Sequence, residues 1–65
     1  MPNIIVSLTQ EMARVRALLP SLGPNRSREA DTALQCAAWY MAHNSLEGMA
    51  ESLSYLREFT AEPKK

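Results

Sequence analysis

The chain has 65 residues, 46% of them hydrophobic, and seven basic side chains balance seven acidic ones. That length allows one small domain near the lower limit of what folds alone, and a net charge of zero argues against generic nucleic-acid binding, which draws its affinity from neutralised phosphates. A single cysteine, Cys36, excludes an internal disulfide and suits a reducing compartment.

The segment Met1–Leu8 lacks the basic region and small-residue cleavage site of a signal peptide, and no apolar run approaches the roughly 20 residues of a membrane span. A cytoplasmic location without a membrane partner is the expectation. The charge is unevenly placed. Residues 1–28 carry four arginines against Glu11, and residues 29–65 carry three basic side chains against six acidic ones.

The first predicted helix covers residues 4–19. Asn3 is placed to cap it, and Ser7 with Gln10 offers a later capping box. Ile5, Leu8, Met12, Val15, Leu19 and Leu22 alternate by three and four, a heptad-like seam. In that register Glu11 takes a g position and Arg16 an e position, the pair that bridges two parallel chains. Leu8, Met12, Val15 and Arg16 are therefore candidate interface residues, with packing inside the chain's own bundle as the competing reading. Pro20 ends the helix, and Ser21–Arg26 is rich in turn residues.

The second predicted helix covers residues 27–43, with Ser27 as cap and Glu29 and Asp31 in the first turn, where the helix dipole favours acids. Its middle, Ala33–Ala42, is apolar or aromatic at every position but Gln35 and has no β-branched residue, glycine or proline. One stripe is Ala30, Leu34, Ala37 and Met41; a second is Ala33, Cys36 and Tyr40; Gln35, Ala38, Trp39 and Ala42 make a third side. A helix apolar all round must be covered all round, yet the chain offers only two other helices. A second copy is expected to complete the cover.

His43-Asn44-Ser45 is the predicted break, because the apolar phase changes there; one unbroken helix from Ser27 to Thr60 is the competing reading. The third predicted helix covers residues 46–60, capped by Asn44 or Ser45. Its seam is Leu46, Met49, Leu53 and Leu56, widened by Ala50 and Phe59 and flanked by Tyr55. Gly48, unfavourable in a helix by about 1 kcal/mol relative to alanine, marks tight packing. Residues 61–65 are expected to be a disordered polar tail.

Catalytic constellations are not found. His43 and Glu47 stand at i,i+4 spacing, but nothing supplies further metal ligands. Cys36 and His43 lie seven residues apart, too far along a helix for a nucleophile and its base, and Cys36 reads as a small buried hydrophobe. There is no glycine-rich phosphate loop. No cofactor, metal or enzymatic activity is expected. A helix-turn-helix DNA reader is the first alternative, but the would-be recognition helix opens Leu46-Glu47-Gly48-Met49-Ala50-Glu51, which brings two acids and no base-reading side chain. A purely structural subunit of a larger helical assembly is the second. Trp39 and Tyr40, adjacent on one helix, point about 100° apart and cannot share one core, so Trp39 is the natural interface anchor.

The expectation is an all-α fold in which the first helix packs on a hairpin of the other two, completed as a homodimeric bundle. The function expected is a small non-catalytic protein-interaction module, a regulator or inhibitor that occupies a surface of a larger protein. In size and lack of catalytic groups it resembles accessory proteins of phages and mobile elements. Its candidate interface is Cys36, Ala37, Trp39, Tyr40 and Met41, together with Leu8, Met12, Val15 and Arg16.

Overall fold

The computed structural model describes residues 3–61. They form three helices, α1 (Ile4–Leu18), α2 (Pro24–Ala42) and α3 (Leu46–Thr60), with one turn of 3-10 helix at Leu19–Ser21. Each helix packs against both others, so the core is the wedge where three apolar stripes meet. No strand occurs among the described residues.

Local chemistry sets the boundaries. Asn3 is extended and its Oδ1 accepts from the Ile5 N–H at 2.8 Å, satisfying a donor that has no partner in the first helical turn. Pro20 does not end the helical path abruptly. The chain tightens into the 3-10 turn with Pro20 near its start, where the missing N–H leaves no hydrogen bond unmade. α2 then begins at Pro24, three residues before the predicted start. Gly23 stands at the cap without a side-chain bond, Pro24 occupies the first turn, and the Ser27 N–H is already bonded to the Gly23 carbonyl at 2.8 Å. Ser27 is thus inside the helix rather than its cap. Proline's fixed φ and absent N–H suit the first helical position.

The helix is broken between α2 and α3, so the continuous alternative does not hold. Asn44 adopts φ 55, the left-handed conformation that closes a helix. Its N–H reaches the Met41 carbonyl at 3.2 Å and the Ser45 N–H reaches the Tyr40 carbonyl at 3.0 Å, the two reverse bonds of a Schellman cap. Ser45 then serves the next helix, its Oγ accepting from the Gly48 N–H at 3.2 Å. One residue closes α2 and opens α3.

Leu8, Val15, Met49 and Leu56 are fully buried, and Met12, Ala30, Ala33, Leu34, Ala37, Leu53 and Phe59 complete the core around them. Burying each large side chain is worth about 1.5–3 kcal/mol. Three seam expectations fail at helix ends and edges: Ile5, Leu46 and Ala50 are exposed, Leu46 to 66%. Leu46 is the first residue of α3, beyond the overlap with its neighbours.

Glu11 departs furthest from its expected role. It is 4% exposed, accepting a hydrogen bond from the Thr60 hydroxyl at the end of α3 and one from Arg14 Nη1 at 2.8 Å. A buried carboxylate needs such partners. It ties the first helix to the last within one chain and is not the g-position charge of an intermolecular pair with Arg16, which is exposed.

Candidate functional site

The expected interface residues fall into separate environments. Leu8, Met12, Val15 and Ala37 lie in the chain's own core and present no surface to a second molecule, which corrects their assignment as interface residues. Tyr40 and Met41 are partly buried and packed against that core. Cys36, Trp39 and Arg16 are exposed, so Cys36 is not the buried hydrophobe expected. On the helical wheel the Ala30–Ala33–Leu34–Ala37–Met41 arc faces inward, which turns Cys36 to the flank and Trp39 outward.

Trp39 is 56% exposed yet held in place. The His43 ring stacks on it with centroids 3.8 Å apart and planes 16° from parallel, and the Tyr40 ring meets its edge at 5.5 Å. The stack is itself fixed, because His43 Nδ1 donates to the Trp39 carbonyl at 2.9 Å. A large aromatic fixed in this way loses little conformational entropy when a partner covers it.

Tyr40 is positioned by Gly48. A Cβ added at Gly48 would stand 2.1–2.4 Å from three atoms of the Tyr40 ring, so the absence of a side chain there gives the ring its place at the α2–α3 corner.

Below Tyr40 an open groove runs between α2 and α3. It consists of two adjoining depressions of about 300 and 260 Å³ that share Cys36, Ser52 and Tyr55. No α1 residue lines either one. Arg28 and Glu29 stand at one end, Tyr40 and Glu51 at the other. Glu29 is bonded to Arg26 at 3.0 Å, and the Arg26 guanidinium lies over the Phe59 ring at 4.5 Å, a cation–π contact beside an ion pair.

The sequence reading missed Ser52, Glu51 and Thr32 as parts of this surface and placed Tyr55 only at a seam's edge. Ser52 lies four residues from both Gly48 and Leu56, which puts it on the buried arc of α3, but its polar side chain pointed the other way. His43 and Glu47 are both exposed, and among the described residues no group of three or more potential metal ligands converges. The outer side of α3 carries Glu47, Glu51 and Glu58, all exposed, a poor face for a nucleic-acid backbone. No helix among the described residues is long and apolar enough to cross a membrane.

Comparison with protein-family models, with curated proteins and with solved structures finds no match for this chain.

Proposed function

We propose that this chain is a small non-catalytic protein-interaction module, a homodimeric regulator or inhibitor that acts by occupying a surface of a larger protein. The observation that carries this reading is Trp39, 56% exposed and clamped between His43 and Tyr40. Nothing in the chain's own packing calls for that ring, and tryptophan is prominent among the residues that dominate binding energy. Ile5, Val6, Leu46 and Tyr55 are the other large hydrophobic side chains left exposed among the described residues.

Two measurements test it. Sedimentation equilibrium from low to high micromolar concentration should report a dimer; a monomer throughout removes the homodimer. In affinity capture with paired baits, Trp39→Ala should lose at least ~2 kcal/mol of partner affinity relative to the parent chain. Undiminished capture by the variant overturns the anchor and the reading built on it.

A further inference from the structure

We infer that the Trp39–His43 stack is a pH-sensitive switch: protonation of His43 closes its ring onto Trp39, and loss of that proton frees the indole. This deepens the interaction-module reading, on which its regulatory meaning rests, by giving the proposed anchor a control.

The geometry at the end of α2 favours the charged ring in three ways. His43 is the C-cap; its backbone N–H meets the Trp39 carbonyl at 3.1 Å and its Nδ1 meets the same oxygen at 2.9 Å. A carbonyl only accepts, so Nδ1 must carry a hydrogen. A neutral imidazole has one ring hydrogen to place, and the tautomer that holds it on Nε2 turns a lone pair toward the carbonyl and breaks the bond. The imidazolium carries a hydrogen on both nitrogens, so the bond is available whenever the ring is charged. The carbonyls of the last turn are also the negative end of the helix dipole, which attracts a cation. The stack supplies the third effect. The two rings lie with centroids 3.8 Å apart and planes 16° from parallel, and a cation over the face of an indole gains an attraction that a neutral ring does not.

No other group is placed to take over this role. Of the elements packed on α2, α1 has no titratable side chain before Glu11, which is buried and bonded to Thr60. α3 opens with Glu47 and Glu51, both exposed, and neither forms an ion pair with His43 among the described residues. Within two turns on α2 the ionisable neighbours are Cys36 and Tyr40, and the Tyr40 ring meets the edge of Trp39 at 5.5 Å. Between about pH 5 and about pH 8 histidine is the side chain that changes charge, and His43 is the only histidine in the chain. With the ring closed, one face of Trp39 is covered and the other is offered in a fixed orientation. With the ring released, a partner must first immobilise the indole, which weakens binding.

Trp39 is the only tryptophan in the chain, so its emission reports the switch. The probe is acrylamide, a neutral quencher whose access to the indole falls when His43 covers one face. The readout is the quenching constant, measured from about pH 8 to about pH 5. A cation–π attraction at an exposed site raises the closed-to-open ratio about two- to fivefold, so the constant for the parent chain should fall as the pH is lowered. His43→Gln, which cannot be charged in this range, should give one high value throughout. His43→Phe, which stacks without titrating, should be equally insensitive to pH but give a lower value, because a ring still covers the indole.

A parent constant that does not change with pH, one that rises on acidification, or a fall that persists in either variant overturns the inference. So does a loss of helical circular dichroism over the same range, which would assign the change to unfolding. The measurement uses no partner. Its failure therefore leaves capture through Trp39 standing, and failure of capture leaves the switch as a property of the free chain.

Discussion

Replacing Gly48 with alanine sets two effects of opposite sign against each other. In an exposed helix the change is favourable by about 1 kcal/mol, because alanine has less backbone freedom to lose and shields the helix. Here the new methyl would fall 2.1–2.4 Å from Cγ, Cδ1 and Cε1 of Tyr40. The atoms met include the ring's attachment point, so a small rotation does not relieve the overlap, and the whole side chain must leave. Overpacking of this kind costs about 1–3 kcal/mol, and Tyr40 also loses its contact with the core. We therefore expect Gly48→Ala to be destabilising by up to about 2 kcal/mol net, the overpacking penalty less the propensity gain. In a domain this small that lowers the melting temperature by roughly 4–8 °C per kcal/mol. A double-mutant cycle separates the terms. In a Tyr40→Ala background, where no ring remains to strike, Gly48→Ala should become stabilising by up to about 1 kcal/mol. Urea titrations of the four proteins, followed by circular dichroism, supply the numbers. A parent chain stabilised by Gly48→Ala would refute the account of the corner.

Two other substitutions probe the frame around the site. Thr60→Val keeps the shape but removes the hydroxyl that bonds Glu11, leaving a buried carboxylate with fewer partners, and should be destabilising by about 1–3 kcal/mol in the same titration; an unchanged midpoint would show that the bond carries no weight. At Asn44, φ 55 tolerates glycine but not a β-branched residue. Asn44→Gly should be neutral or slightly stabilising, and Asn44→Val destabilising by at least about 1 kcal/mol. Equal thermal midpoints for the two variants would contradict the Schellman assignment.

Much of this architecture could be read from the residues alone. Asn3 and Ser45 announce the starts of α1 and α3 because a short side-chain oxygen beside a helix start has one obvious use. Gly48 signals close approach because it disfavours a helix that nonetheless forms. Gly23-Pro24 carried the start of α2 as clearly, but Ser27 followed it with a competing cap, and only the backbone geometry decides between them.

Within the single chain the apolar stretch Ala33–Ala42 is covered only in part, with Cys36, Ala38, Trp39 and Ala42 exposed. Much of that stretch is alanine, and exposing Ala38 or Ala42 leaves little apolar area in water compared with exposing a leucine. Periodicity also cannot choose the center of the buried arc, which is why Cys36 fell on the wrong side. Glu11 was illegible for another reason. Its partner Thr60 lies 49 residues away, and no local pattern holds that information.

The Glu11–Thr60 bond closes a loop of 49 residues, and this bears on how the molecule assembles in time. The α2–α3 corner needs only neighbouring residues and two reverse hydrogen bonds, whereas the Glu11 contact must await closure of a long loop, whose entropic cost grows with its length. We expect the hairpin to be in place at the folding barrier and α1 to settle after it. Weakening the Thr60 end would then chiefly hasten unfolding, and weakening the corner would slow folding. The corner expected to order the backbone early is also the one that fixes Tyr40 and the Trp39–His43 stack, so the surface proposed for a partner would belong to the part of the molecule that forms first.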